Sequence, residues 1–430
     1  MGRYGNTAIA SRGPMVQSGN GSIAITPHRT PLLLSRLPTT VLMAWALTPL
    51  TEEQREIQRV AREFAEREIA PYADEWDREQ HFDSGMVAKL GELGFLGMLL
   101  PEQYDGLGLD MLTYLVALEE IATIDASVAV MMSVHNSLPT QMILRWGSEE
   151  QKKRFLGPMA RGEKLGAFAL SEPDAGSDAA SLRMQAVRDG KCWVLNGTKA
   201  WVSNGPQAGV VMVMARTDSP GDRRGPRGIS AFIVTPELPG FHIGKKENKM
   251  GLRSSPTVQL VFDNLRVPAA NLLGEEGSGF IYAMQSLDNG RLGIAAQAIG
   301  IAEAALRHAS RYAAERRQFG KPIKEFQAIQ FKLADIATRV SAGRALLHAA
   351  ATAKDRGENV RQFSAMAKLF ASETAMAATS EAIQIFGGYG YVKDYPVERL
   401  FRDAKVTEIY EGTSEIQRIV IARELYSRGE

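Results

Sequence analysis

From Thr51 onward the chain becomes sharply periodic. Ile57, Val60, Ala61, Phe64 and Ala65 recur at three- and four-residue spacing, which puts them on one face of a helix. Thr51-Glu52-Glu53-Gln54 stands ahead of them as a capping box with acids in the first turn. The same spacing predicts helices over Met86–Leu100, Met111–Ile124, Ala129–Arg145 and Glu149–Ala160, so residues 51–163 read as an all-helical domain. Near residue 165 the period shortens. Cys192–Leu195 and Thr198–Val202 flank Asn196-Gly197, a dipeptide favoured in two-residue turns, and a hairpin is expected there. Gly209–Ala215, Ile229–Val234 and Val258–Phe262 are also β-rich, with Gly, Pro and Asp between them. Residues 164–275 are therefore expected to form a β domain, a barrel or a sandwich. From residue 276 to the end the helical period returns. Ile329, Leu333, Ile336 and Val340 form an apolar stripe, Ala365–Phe386 ends at Gly387-Gly388, and Ser414-Glu415-Ile416-Gln417 reads as a second capping box. Broad apolar faces on long Ala-rich helices predict a four-helix bundle, buried further by oligomerisation. The expected fold is a multidomain α+β chain: helical, then β, then helical.

Composition changes this picture mainly by exclusion. The 430 residues carry 50 Lys+Arg against 49 Asp+Glu, a balance that argues against a globally basic nucleic-acid binder. With 45% hydrophobic and 23% charged residues the composition is that of a globular protein. A single cysteine, Cys192, leaves no intrachain disulfide and no Cys-rich metal site. No apolar run reaches the ~20 residues that a membrane-spanning helix needs, and the reading is a soluble, intracellular protein. No two of the six histidines stand at metal-ligand spacing, and motifs of zinc peptidases, serine hydrolases and P-loop ATPases are missing. The first 51 residues hold no Asp or Glu but include Arg3, Arg12, Arg29 and Arg36. Such a segment fits an organelle transit peptide; a disordered tail over residues 1–50, or a true start at Met43, is the preferred reading. Gly19-Asn20-Gly21-Ser22-Ile23-Ala24 matches a dinucleotide fingerprint with no strand before it and no helix after it, so it is read as chance.

Three polar loops beside well-formed elements remain as candidate chemistry. Ser171-Glu172-Pro173-Asp174-Ala175-Gly176-Ser177-Asp178 follows the apolar run Ala167–Leu170, and its small residues would let backbone N–H groups approach an oxygen-rich ligand. Gln384-Ile385-Phe386-Gly387-Gly388-Tyr389-Gly390 and Ile409-Tyr410-Glu411-Gly412-Thr413-Ser414 are the others. Taken singly, an acidic turn, a helix stop and a solvated glutamate account for them, and spacing alone names no cofactor.

Together these stretches resemble the acyl-CoA dehydrogenase family from about Thr51 to the C-terminus. The resemblance rests on Ala169-Leu170-Ser171-Glu172-Pro173 with Gly176-Ser177-Asp178, and on Asn196-Gly197-x-Lys199-x-Trp201-Val202-Ser203-Asn204-Gly205. It rests also on Arg316-x-x-Phe319-Gly320, Gly387-Gly388, Arg402-Asp403-Ala404 and Tyr410-Glu411-Gly412-Thr413. The resemblance implies a homotetramer that binds flavin adenine dinucleotide (FAD), partly through a neighbouring subunit. Phe168, Ala169, Leu170, Ser171, Gly176, Ser177, Trp201, Val202 and Ser203 would meet the flavin ring and ribityl. The pyrophosphate and adenine would meet Arg316, Gln318, Phe319 and Gln327, with Gln384, Ile385, Phe386, Gly387 and Gly388 arriving from another subunit; Thr413 and Glu415 would complete the site. Ser177, Leu287, Asp288, Arg291, Tyr410 and Gly412 would touch the coenzyme A thioester. Glu411 would be the base of an α,β-dehydrogenation, and electrons would pass to electron-transfer flavoprotein.

Within the family, Met132–Leu138 and Leu287–Ala295 lean towards short-chain or short/branched-chain enzymes of fatty-acid β-oxidation. The resemblance puts such a protein in the cytoplasm of a bacterium or the mitochondrial matrix of a eukaryote. An acyl-CoA oxidase is disfavoured by the lack of extra mass after Glu430. A nitroalkane-oxidising relative would be expected to carry Asp at Glu411, and a catalytically dead interaction protein to have lost Glu411 and the flavin contacts.

Overall fold

The computed structural model describes residues 47–219 and 225–427; the tail and the Gly19–Ala24 stretch lie outside them. The first helical part comprises α1 (Glu52–Phe64), α2 (Ala73–Glu79), α3 (Gly85–Glu92), α4 (Met111–Ala122), α5 (Ala126–Ser137), α6 (Pro139–Trp146) and α7 (Glu149–Ala160). Thr51 caps α1 as expected: its hydroxyl accepts from the Gln54 N–H while the Gln54 side chain accepts from the Thr51 N–H. Two expected helices are shorter than their apolar pattern. The stretch 86–100 leaves the helix at Glu92, where Gly91 packs against the Arg161 carbonyl and Gly94 takes φ +74°. The stretch 129–145 breaks at Leu138 (φ −112°, ψ −83°), because Pro139 has no N–H to continue the ladder and instead opens α6. α4 and α5 are buried on every side. Their buried acids are ion-paired, Glu119 with Arg344 and Glu120 with Arg62, each at 2.6 Å.

The sheet runs through β1 (Leu165–Ala169), β2 (Gln185–Asp189), β3 (Cys192–Ser203), β4 (Ala208–Arg216), β5 (Ile229–Val234), β6 (Phe241–Lys246), β7 (Thr257–Pro268) and β8 (Leu272–Leu273). Its order is β6-β7-β3-β2-β4-β5-β8, with β1 added parallel to β4. Strands β2 and β4 meet at one pair, Gln185–Arg216, so the sheet is two halves hinged together. Ala167, Leu195, Val213, Phe232, Val258 and Phe262 come from both halves and fill one shared core, a sandwich arrangement.

The expected Asn196-Gly197 hairpin is not there. β3 is one continuous strand, and the turn lies earlier, at Gly190 between β2 and β3. Asn196-Gly197 instead forms a bulge where the pairing with β7 slips register. The Asn196 side chain accepts from the Asn264 N–H at 2.7 Å, and a side chain on Gly197 (φ +147°) would come within 2.8 Å of Met184.

The last part holds α8 (Gly279–Glu315), the two-residue strands β9 (Arg317–Gln318) and β10 (Lys321–Pro322), α9 (Gln327–Asp355), α10 (Arg361–Phe386), α11 (Val397–Thr407) and α12 (Ser414–Ser427). α8 packs on α9 and α10 and also on α4 and α5. The bundle therefore shares one continuous core with the first helical part, running from Leu115 and Met132 through Ile294 and Ile299 to Val340 and Ala375. The second expected capping box is displaced by one residue. The Thr413 hydroxyl accepts from the Ile416 N–H, whereas the Gln417 amide turns back towards the preceding loop. Among the described residues no helix is long and apolar enough to cross a membrane.

Candidate active site

The loop between α11 and α12 carries the most unusual side chain of the molecule. Glu411 takes φ +53° and Gly412 φ +96°, a left-handed pair that non-glycine residues seldom adopt. The residue is half-buried as a whole, yet both carboxylate oxygens are covered and lack a hydrogen-bond partner. The carboxylate lies over Gly290 of α8, where any side chain would overlap its Oε2. Burial pushes Glu411 up to about 7, offset in part by the charges of Lys368 and Arg291. Partnerless buried hydroxyls lie near by: Tyr114, whose phenol feels the Glu411 charge, and Ser133, which packs against Gly293 one helical turn along α8.

The backbone beneath this carboxylate is held from three helices. Lys368 Nζ of α10 donates to the Gly412 carbonyl at 2.7 Å. Gln417 Nε2 of α12 donates to the same carbonyl at 2.8 Å and to that of Glu411 at 3.2 Å. The Tyr410 hydroxyl donates to Gln297 Oε1 of α8, and Gln297 Nε2 donates to the Ala126 carbonyl at 2.6 Å. On the same helix Arg291 pairs with Asp288 at 2.7 Å, and Leu287 packs where the helical and sheet cores adjoin. Tyr410, Glu411, Gly412, Leu287, Asp288 and Arg291 are thus gathered around α8.

A second group sits on the sheet. Phe168, Ala169, Leu170 and Ser171 leave the end of β1, and Trp201, Val202 and Ser203 end β3 beside them. Lys199, fully buried, ties the two together: its Nζ donates to the Leu170 carbonyl at 2.9 Å and to Glu172 at 2.8 Å. Glu172 also accepts from the Arg183 and Met184 N–H groups. Burial raises its carboxyl, but the Lys199 charge and these amides outweigh burial and hold it below the usual value. Trp201, by contrast, is 63% exposed at φ +60°, and Gly176 and Ser177 are open to solvent. Val202, near the end of β3, is fully buried.

The third group lines an open groove of about 1050 Å³ that includes Arg316, Gln318, Phe319 and Ile385–Gly388. Within one chain the two sets line the same groove, because α8 and α10 run side by side and end together, with Tyr312 stacked on Phe386 at 4.1 Å. Phe319 is 93% exposed, Arg316 lies over the Tyr389 ring, and side chains on Gly387 or Gly388 would meet nothing within 4 Å. Gln327 and Gln384 are exposed and stand outside the residues lining the groove; Glu415 is also exposed, in the first turn of α12.

These features fit a flavin dinucleotide. Exposed aromatic faces at Trp201 and Phe319 suit planar rings, and Arg316 beside the glycines suits a pyrophosphate. Lys199, Gln297, Lys368 and Gln417 support the site and were not singled out from sequence as site residues. One signal was available for Lys368: it falls on the apolar face of an Ala-rich helix, three residues before buried Ala371. Among the described residues no cluster of His, Cys, Asp and Glu could hold a metal ion.

Comparison with known proteins agrees along the chain. Family models described as the acyl-CoA dehydrogenase N-terminal, middle and C-terminal domains match residues 51–163, 167–265 and 277–426. An acyl-CoA dehydrogenase of Bacillus subtilis is 51% identical over 376 residues, covering 87% of this chain and 98% of that protein. The mitochondrial short-chain specific acyl-CoA dehydrogenase of Mus musculus is also 51% identical, covering 87% of this chain and 90% of the mouse protein. The solved structure of butyryl-CoA dehydrogenase from Megasphaera elsdenii superposes with a TM-score of 0.86 at 46% identity, covering 88% of this chain and 99% of that one. With three helical and sheet segments in the same order and half the residues shared, the chain belongs to the acyl-CoA dehydrogenase family.

Proposed function

We propose that this protein is an FAD-dependent acyl-CoA dehydrogenase that converts short-chain acyl-CoA thioesters to trans-2-enoyl-CoA and passes electrons to electron-transfer flavoprotein. The observation that carries the reading is Glu411: a covered carboxylate without a partner, with room made for it by Gly290. A carboxylate of this kind is a poor structural element and a good base, since burial brings its proton affinity close to neutral pH. Glu411 removes the pro-R α-proton of the thioester. Its backbone N–H helps to polarise the thioester carbonyl, an oxyanion-hole role that acidifies that proton. FAD supplies the acceptor for the β-hydrogen, which leaves as hydride.

The remaining residues bind and orient. Phe168–Ser171, Ser177 and Trp201–Ser203 hold the flavin ring and ribityl, while Arg316, Gln318, Phe319 and Ile385–Gly388 hold pyrophosphate and adenine. Leu287, Asp288, Arg291 and Tyr410 guide the thioester along α8. The protein works as a homotetramer, in the cytoplasm of a bacterium or the mitochondrial matrix of a eukaryote. Similarity to relatives named for short-chain and butyryl substrates supports a preference for C4–C6 chains.

The test is an anaerobic titration of the flavoprotein with acyl-CoAs of rising chain length, followed by oxygen. Bleaching of the flavin by butyryl-CoA with slow reoxidation is expected. Rapid peroxide formation would instead indicate an oxidase, and turnover that climbs steadily through palmitoyl-CoA would overturn the short-chain assignment.

A further inference from the structure

Lys368 is fully buried on α10, and its ammonium reaches the Gly412 carbonyl, one peptide beyond Glu411. Among the described residues no carboxylate pairs with it: its hydrogen bond is to a neutral oxygen, and the nearby carboxylates act on it through charge alone. A buried cation without a contact partner is costly. Its charge acts on that of Glu411, a covered carboxylate that also lacks a contact partner. The charged groups facing Lys368 are Glu411, Glu408 and Glu415, which favour the ammonium, and Arg291, which opposes it. Those facing Glu411 are Lys368 from α10 and Arg291 from α8, with the hydroxyls of Tyr114 from α4 and of Tyr410 from its own loop. Arg291 is bound to Asp288 at 2.7 Å, although its Nε lacks a hydrogen-bond partner. Of the two cations, Lys368 is the one with no carboxylate in contact.

Resting on the assignment of Glu411 as the base, we propose that Lys368 is a positioning residue for it, with two separable actions. Through the Gly412 carbonyl it holds the left-handed turn that points the carboxylate over Gly290. Through its unspent charge it keeps that carboxylate ionised in a site that would otherwise favour the neutral acid. Gln417 shares the first action, since its amide binds the same carbonyl, but as a neutral group it cannot share the second. Two substitutions separate the actions: Lys368→Gln removes the charge and keeps a donor, and Gln417→Leu removes a donor and keeps the charge.

The test uses the flavin-loaded protein. The midpoint of Glu411 ionisation is read from its infrared carboxyl band, as the difference between each protein and the same protein carrying Glu411→Gln. The pH profile of anaerobic flavin reduction by butyryl-CoA is followed in parallel. Lys368→Gln and Lys368→Met should both move the midpoint upward by about one pH unit or more, and Lys368→Arg should bring it back. Gln417→Leu should leave the midpoint in place while lowering the plateau rate roughly tenfold or more, as expected for a misplaced base. If Lys368→Met does not accumulate as a folded flavoprotein, the Gln and Arg variants decide the matter. An unmoved midpoint in Lys368→Gln would overturn the proposal while leaving Glu411 as the base. Undiminished flavin reduction in Glu411→Gln would instead overturn the assignment on which it rests.

Discussion

The two loops of the site handle a buried charge in opposite ways. On the sheet, Glu172 and Lys199 neutralise each other at 2.8 Å, and two backbone amides complete the carboxylate. The result is a rigid platform whose working face, Trp201, points outward and is 63% exposed. At the start of α12 the arrangement is reversed. Glu411 is covered and partnerless, and the hydrogen bonds go to its backbone rather than to its carboxylate. A paired buried charge contributes position, whereas an unpaired one contributes reactivity at a cost in stability. In the proposed function the first loop receives a planar group and the second moves a proton.

The largest stability effect should follow from breaking the paired charge. Lys199→Met leaves Glu172 buried with its two backbone amides but without its counter-charge, and the expected loss is about 3–5 kcal/mol by denaturant unfolding. Release of flavin should accompany it, because the Leu170 carbonyl loses its anchor. A loss below about 1 kcal/mol would mean that the pair does not organise this loop.

Removing the unpaired charge should do the opposite. In the unfolded chain Glu411 titrates near 4.5, and burial pushes it up to about 7 in the folded state. Below 4.5 both states hold the proton and the group costs nothing. Between the two values the unfolded chain ionises first, so stability falls as pH rises, and above 7 the loss levels off at roughly 3 kcal/mol. Glu411→Gln should therefore be more stable than the native protein at pH 8 and equal to it near pH 4, as measured by unfolding at the two pH values. A variant that is less stable at pH 8 would show that the carboxylate has a structural partner.

The smallest effect belongs to the exposed face. Trp201→Ala should change unfolding stability by no more than about 0.5 kcal/mol, since the indole packs against little of the chain. Its flavin affinity should nevertheless fall clearly in an equilibrium binding titration. Loss of stability without loss of flavin would reverse the role assigned to this tryptophan.

Much of this was readable in the sequence, and the failures have local causes. The α–β–α order followed from period alone, and α7, β5 and the cap at Thr51 stand where their patterns put them. Asn196-Gly197 misled because a bulge and a two-residue turn favour similar residues; the choice is made by β7, which is distant in sequence. The 129–145 helix was overextended because an apolar pattern runs unbroken across Leu138-Pro139 while the backbone cannot. Glu411 is singled out through the resemblance, not by its own spacing. That its oxygens lack partners, and that Gly290 makes their room, depends on α8 and could not be read from local spacing. Nor could the joining of Arg316 with Ile385–Gly388 in one groove, which depends on two long helices ending side by side.

The central claim is that the covered, partnerless carboxylate of Glu411 takes the α-proton. The direct measurement is the rate at which butyryl-CoA reduces the bound flavin without oxygen, in the native protein and in Glu411→Gln, with flavin content and acyl-CoA binding measured alongside. The amide retains the shape and cannot accept the proton, so the account predicts normal flavin content, retained binding and a reduction rate lower by about three orders of magnitude or more. Reduction within about tenfold of native in a variant that holds its flavin would contradict it.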